Sequence, residues 1–419
     1  MPSLPQPEVV TLGCRLNIAE SETIRALAAG RDVAVVNGCG VTNRAVKDTR
    51  AAIRRLRRAR PAAELIVTGC ASDMDRAAFA AMPEVDRIVP NAAKLLPSSW
   101  GRPGNMAQPR AHTRGFVAVQ TGCDHACTFC AIPAGRGASR SEPIAQAVPR
   151  IAALVEAGAR EVVLSGVDLT SFRDGDAPLA ALVEALLAQV PALERLRLSS
   201  IDPAEVDDRL FALLTQEPRV MPHVHLSLQA GDDLILKRMK RRHSRADAVR
   251  LVARLKAARA DIAIGADLIA GFPTESEAMF AETLAAVDTC DIVHAHVFPY
   301  SPRAGTPAAR MPQVAPLVAK ERAERLRDAS ARRKAAWLVG LVGTRQAVLI
   351  EKPGDRGHAP GFAEVRFDRE PFPVVRPERH RSPGAPAALR LRSGRAEVGE
   401  LMTLHITAAT DTHLIGHAS

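Results

Sequence analysis

Apolar residues along this chain fall into short continuous runs separated by stretches with helical spacing. Glu8–Leu12, Asp32–Val36 and Glu64–Thr68 read as strands, and the segments between them as helices. Strands alternating with helices of this length predict βαβ units and an open parallel α/β domain over residues 1–97. The alternation resumes at Gly115–Gln120, Glu161–Ser165, Arg195–Ser199, Val224–Gln229, Ile262–Ile269 and Ile292–Phe298. One intervening helix begins at Pro143 and carries Ile144, Val148, Ile151 and Val155 at spacings of four, three and four. Six such repeats with right-handed crossovers predict a partial (β/α)6 barrel over residues 110–338, short of the eight-stranded form.

Residues 97–114, rich in Pro, Gly and Ser, predict a linker between the two. The charged stretch from Lys320 to Trp337 predicts a connecting helix. From Gly343 the pattern changes to short β runs at Gln346–Glu351, Ala363–Phe367 and Leu401–Thr407, with turn-rich segments between them. That pattern predicts a small β-barrel over residues 339–419. The fold class is α/β, in three modules: an open sheet, a partial barrel and a small β-barrel.

Charge and length refine this picture. At 419 residues the chain exceeds one ordinary domain. Lys and Arg outnumber Asp and Glu by 56 to 46, which favours a polyanionic partner. Aromatics are only 3%, so base stacking on many exposed rings is an unattractive mode of binding. The start, Met-Pro-Ser-Leu-Pro-Gln-Pro-Glu, has no basic or apolar leader, and no run of about 18 apolar residues predicts a membrane span. Seven cysteines, an odd number, fit reduced thiols in a cytoplasmic protein better than a disulfide framework.

The cysteines carry the candidate chemistry. Cys123, Cys127 and Cys130 are spaced C-x3-C-x2-C, which leaves one corner of a tetrahedral or cubane site without a protein ligand. Structural sites close their coordination with protein ligands, whereas reactive ones keep a position open. Thiolates suit zinc or iron–sulfur clusters, and an unfilled corner favours a 4Fe-4S cluster with one iron free for a substrate. The competing reading is a zinc knuckle completed by His125, in a zinc-stapled RNA-binding protein. Cys14, Cys39 and Cys70 each follow a predicted strand, at the edge where open α/β sheets bind ligands. Buried core thiols are the plainer reading of these three, and the better one for Cys290. The basic helix from Arg44 to Arg60 reads equally as an RNA-contacting face or a solvated surface. Lys237, Arg238, Lys240, Arg241 and Arg242 make a stronger candidate for phosphate contact.

The run from Cys123 to Pro133, including Phe129 before the third cysteine, resembles the signature of radical S-adenosylmethionine enzymes. Thr-Leu-Gly-Cys14, Asn-Gly-Cys39 and Thr-Gly-Cys70 resemble the amino-terminal cluster domain of methylthiotransferases. Gly135-Arg-Gly-Ala-Ser-Arg140 follows as it does in that family, and the C-terminal β region resembles its TRAM domain, an RNA-binding barrel. Within the family, Leu164–Ser171, Leu226–Asp233, Lys237–His243, Asp267–Glu275 and Phe298–Pro307 resemble the branch acting on threonylcarbamoyladenosine in tRNA. Sister branches modify isopentenyladenosine in tRNA or an aspartate of a ribosomal protein.

The resemblance implies two 4Fe-4S clusters, one on each cysteine triad, and S-adenosylmethionine at the Cys123–Cys130 cluster. It implies Gly166 near the methionine end of that cofactor, Ser227 and Gln229 near its ribose, and Ile269 and Gly271 beside its adenine. Arg140 is a fitting partner for the methionine carboxylate, since a guanidinium fork matches that group. The implied partners are tRNA, a flavodoxin- or ferredoxin-type electron donor and a sulfur donor. Two positions depart from the family pattern: Ala134, where a larger residue follows Ile-Pro, and Gly38, where Thr precedes the second cysteine.

Overall fold

Strand Val33–Gly38 is buried along its whole length, and Glu64–Gly69 at every position but the first, as strands covered on both faces must be. The computed structural model describes residues 6–101, 113–352, 355–367 and 398–418. Four parallel strands, Glu8–Thr11, Val33–Gly38, Glu64–Gly69 and Arg87–Val89, lie in sequence order in one sheet. Alternate residues feed two cores. Ala34, Val36, Leu65 and Val67 pack with Ile53 and Leu56 of helix Asn43–Ala59, while Val9, Val35 and Ile66 pack with Ile24 and Leu27 of helix Arg15–Leu27. Thr42 caps the basic helix by accepting the Ala45 N–H at 3.1 Å.

The expected linker is part of this second core at its start. Pro97–Trp100 forms a 3-10 turn, and Trp100, fully buried, donates its indole N–H to the Lys94 carbonyl at 2.8 Å. A Pro/Ser/Gly-rich composition conceals one large apolar side chain that anchors the segment. Residues 102–112 of that expectation lie outside the described residues.

Six parallel strand positions follow, in the order the apolar runs predict. Arg114–Ala118, Glu161–Ser165 and Arg195–Leu198 form a three-stranded sheet, and Ser200–Ile201, His223–Gln229, Ala263–Ala270 and Ile292–Pro299 form a four-stranded one. The third strand breaks at Ser199, changing partners from Glu161–Ser165 before it to His223–Gln229 after it. Outward residues Val162, Leu164, Leu196, Leu226, Ile264 and Leu268 join one large core with the covering helices.

Several of the alternate positions are charged or histidine, where barrel interiors are usually aliphatic. Arg114, Glu161 and Arg195 are register partners across three strands, and Arg197 adds two further bonds to Glu161 at 3.1 Å. Glu161 is fully buried. Burial works against its charge, but Arg197 and then Arg114 outweigh it and hold the carboxyl down at about 2. One level further along, Asp267 lies 3.1 Å from ring nitrogens of both His225 and His296. Gly265 leaves room for the His225 ring, which a Cβ there would meet at 2.4 Å.

The chain divides into two compact units, residues 1–330 and 331–419, so the first sheet and the partial barrel share one unit. The break falls inside the charged helix, which spans Pro316–Val339. In the second unit, Arg345–Lys352, Arg356–His358, Glu364–Phe367, Leu401–Ala409 and Leu414–Ala418 close into a barrel around Val348, Ile350, Val365, Leu404, Ile406 and Leu414. Among the described residues, no helix is long and apolar enough to cross a membrane.

Candidate active site

The loop carrying Cys123, Cys127 and Cys130 leaves the first barrel strand and is held from several sides. Gly122 (φ 73°) lets it pass beside Ala138, whose carbonyl oxygen a Cβ would meet at 1.9 Å. The Cys123 N–H donates to the Gly137 carbonyl at 3.2 Å. Thr128 donates its amide to Met239 at 3.1 Å and its hydroxyl to the Arg238 carbonyl at 2.8 Å, and its own carbonyl accepts from Ala308. Phe129 meets Phe272 edge-on, with ring centroids 6.4 Å apart.

All three thiols are free, and each receives an N–H: from the His125 amide to Cys123 and the Ile132 amide to Cys130, both at 3.4 Å, and from Arg241 to Cys127 at 3.5 Å. Burial first, then neighbouring charges that include the other thiols, pushes Cys123 up to about 11 and Cys130 up to about 12. Three thiolates so placed need a cation among them, and the converging N–H donors suit sulfurs that carry negative charge. The donor set therefore fits an iron–sulfur cluster. His125 Nε2 lies 2.5 Å from Asp168 Oδ2 and 2.9 Å from Arg242, and a His125 ring nitrogen, an Asp168 oxygen and the Cys123 sulfur all lie within 4.8 Å of one another.

Cys14, Cys39 and Cys70 follow the first three strands, and folding brings them together. Gly13, before Cys14, lies so close to Cys39 that a Cβ would meet the Cys39 Cβ at 2.6 Å. Burial pushes Cys39 up to about 11, with Cys14 and Cys70 adding to the rise. Cys70 opens the short helix Cys70–Met74, which packs on helix Ile132–Arg136 just after the other triad; a Cβ on Gly135 would stand 3.2 Å from the Cys70 Cβ. Beside Cys70, one buried carboxylate, Glu20, faces two buried cations, Arg136 and Lys94. The remaining positive charge lies against the Cys70 sulfur, so this set too fits an anionic thiolate cluster.

The other expected positions group unevenly around the first triad. Ser227 meets it through Arg241, which donates to the Ser227 carbonyl at 2.8 Å as well as to Cys127. Gly166 follows its strand closely packed on Gln120 and Leu169, and donates its N–H to Ser199 at 3.3 Å. Gln229 adopts φ 73°, a left-handed conformation uncommon for a side-chain-bearing residue, at an irregularity of its strand. Ile269 is nearly buried. Gly271 (φ 72°) packs against Ala319 and donates its N–H to Glu275 at 2.8 Å. Arg140 is exposed and donates to the Arg136 carbonyl at 3.3 Å.

Of the five basic residues from 237 to 242, Lys237, Lys240 and Arg242 are exposed and Arg238 is half-buried. Arg241 turns inward: its side chain is 8% exposed and bonds Asp202 at 2.9 Å. Strand and loop geometry, invisible in a basic run, makes it a neighbour of the cysteines and removes it from the surface. Arg136 is the residue that sequence reasoning passed over, although it sits inside the motif from Gly135 to Arg140. The departure at Gly38 has a local reason, since Thr49 occupies the space a side chain there would need, 2.4 Å from a Cβ. Ala134 is exposed. Cys290 is buried in the barrel core.

Residues 117–287 match the Radical SAM superfamily, and residues 7–90 match Uncharacterized protein family UPF0004. A threonylcarbamoyladenosine tRNA methylthiotransferase of Rickettsia prowazekii is 42% identical over 385 residues, covering 86% of this chain and 91% of the relative. The protein of the same name from Chlamydia pneumoniae is 33% identical with the same coverage. A tRNA-2-methylthio-N6-dimethylallyladenosine synthase of Erythrobacter litoralis is also 33% identical, covering 86% of this chain and 91% of its own. In fold, the chain is similar to a solved radical S-adenosylmethionine methyltransferase of Kitasatospora setae, with TM-score 0.50 and 16% identity over 66% of this chain and 64% of that one.

Proposed function

Because this chain belongs to the radical S-adenosylmethionine methylthiotransferases of tRNA, we propose that it adds a methylthio group to C2 of N6-threonylcarbamoyladenosine beside the anticodon. The observation that carries this reading is the adjacency of two free cysteine triads, joined through helices Cys70–Met74 and Ile132–Arg136. The relative at 42% identity supports the choice of base over the isopentenyladenosine and ribosomal-protein alternatives.

When bound, S-adenosylmethionine and a pair of 4Fe-4S clusters supply a hydrogen-abstracting radical, the inserted sulfur and the methyl group. Cys123, Cys127 and Cys130 hold the cluster that binds the cofactor, and Cys14, Cys39 and Cys70 hold the second. Arg241 fixes the first set by tying Cys127 to the Ser227 backbone, and Phe129 closes its apolar side against Phe272. Gly166 and Gly271 would offer backbone to the cofactor, Ser227, Gln229 and Ile269 would line its nucleoside, and Arg140 would pair with its carboxylate. The residues 1–97 and 110–338 act as cluster and radical domains. The TRAM-like barrel from 339 to 419 engages tRNA in the cytoplasm, and Lys237, Arg238, Lys240 and Arg242 contact phosphates of the same class of partner. A flavodoxin- or ferredoxin-type protein supplies electrons, and a separate donor restores sulfur.

The test is nucleoside mass spectrometry of tRNA from a strain lacking the gene, complemented by variants. Loss of the methylthio form of threonylcarbamoyladenosine is expected, and an unchanged profile rejects the substrate. In the isolated enzyme, Cys127→Ala should abolish 5′-deoxyadenosine formation, while Cys39→Ala should form it without sulfur insertion.

A further inference from the structure

Arg136 and Gly137, consecutive residues, touch one cysteine of each triad. The Arg136 Nε donates to the Cys70 Sγ at 3.1 Å, and the Gly137 carbonyl accepts the Cys123 N–H at 3.2 Å. We propose that Arg136 is a positioning residue that ties the two cysteine sets together and tunes the cluster on Cys14, Cys39 and Cys70. The inference rests on the reading above that this triad holds a second cluster.

A guanidinium has five N–H donors in a rigid fork. Here all five find acceptors: Cys70 from Nε, Glu20 at 2.7 Å and Thr121 at 3.2 Å from Nη1, and Asn17 at 2.6 Å and Glu20 at 3.1 Å from Nη2. Asn17 and Glu20 belong to helix Arg15–Leu27, which starts directly after Cys14. Thr121 lies two residues before Cys123. The fork thus grips the backbone that presents Cys14, the sulfur of Cys70 and the approach to the other triad at once.

The Arg136 side chain is only 4% exposed, and it pairs with Glu20 at 2.7 Å. Glu20 is already shared with Lys94 at 2.6 Å. The guanidinium charge is consequently left in part for Cys70. Hydrogen bonds and positive charge at a ligand sulfur favour the reduced, more negative cluster and raise its potential. A lysine keeps the charge but has three donors on a flexible stem, and cannot fill five acceptor positions.

The test uses Cys127→Ala protein purified anaerobically, in which the second cluster is the one observed. Iron content and an EPR-monitored redox titration are compared with those of the Cys127→Ala/Arg136→Met and Cys127→Ala/Arg136→Lys doubles. Arg136→Met should move the midpoint to more negative potential and weaken cluster retention about 10- to 100-fold against a chelator. Arg136→Lys should recover part of the potential shift but not the retention. A midpoint and retention unchanged in both doubles would overturn the role of Arg136 while leaving the second cluster in place. Cys127→Ala protein that binds no iron overturns the second-cluster reading and this inference with it. Far-UV circular dichroism separates either result from misfolding, and Arg136→Lys carries the test if Arg136→Met fails to fold.

Discussion

Replacing Glu161 by Gln tests whether the row of charges inside the barrel holds its first three strands. The carboxylate is fully buried, 2.6 Å from Arg114 and bonded twice by Arg197, and Arg195 stands beside it in register. Lowering its carboxyl from 4.5 to about 2 corresponds to about 3 kcal/mol of preference for the charged form. That agrees with the roughly 3–5 kcal/mol for removing one partner of a buried ion pair. A unit of 330 residues has an unfolding entropy of roughly 0.7 kcal/mol/K, so Glu161→Gln should lower its Tm by about 4 °C. The sign with pH is fixed. A depressed carboxyl stabilises fully above its unfolded value near 4.5 and loses that contribution as pH falls toward about 2. The gap between wild type and Glu161→Gln, followed by circular dichroism on heating, should therefore be constant from pH 7 to 5 and narrow below 4.5. A gap under about 1 °C at pH 7, or one that persists undiminished to pH 3, refutes the reasoning.

Three further outcomes follow from the same geometry. His223 is held neutral by burial first and then by His294, Arg197 and His225, so below about pH 6.5 the unfolded chain takes up a proton that the folded ring refuses. Stability should fall by up to about 1.4 kcal/mol per pH unit on that account, and His223→Gln should flatten the slope between pH 6.5 and 5; an identical slope in denaturant titrations rejects this. Gly38→Thr should cost about 1–3 kcal/mol by forcing a Cβ against Thr49, and Gly38→Thr/Thr49→Ala should regain most of it; simple additivity of the two would rule out the clash. Lys237→Ala and Lys240→Ala, both at exposed positions, should each reduce the slope of log affinity for tRNA against log salt by roughly 0.7–1, and unaltered slopes would remove them from the RNA surface.

What could be read in advance depended on whether the signal was periodic. Glu161–Ser165 is a strand at the residues its apolar run marks, because a strand buried on both faces announces itself as continuous hydrophobicity. Arg87–Val89 has only three residues and carries no such run, so the fourth strand of the first sheet went unread. Trp100 was hidden by its Pro/Ser/Gly-rich neighbours. The six cysteines were legible because their spacing and strand-end positions are sequence properties. Arg241 and Arg136 were not, for the same reason in opposite settings: a guanidinium in a basic run and one in a Gly-rich motif look alike until folding decides which acceptors surround them. The polar barrel interior did leave a trace, since His223, His225, His294 and His296 alternate at period two, but the rule that barrels fill with aliphatic residues works against seeing it.

The clasp at Arg136 and Gly137 also fixes the length of the chain there. One residue inserted between Cys130 and Arg136 would turn the short helix by about 100°. Arg136 would swing away from Cys70 while Gly137 lost the Cys123 amide, two failures from a single codon. The hairpin around Gly175, where a Cβ has nothing within 4 Å, faces no such restriction. Insertions and deletions should therefore accumulate at such turns and be purged from residues 131–137, even where single substitutions are accepted.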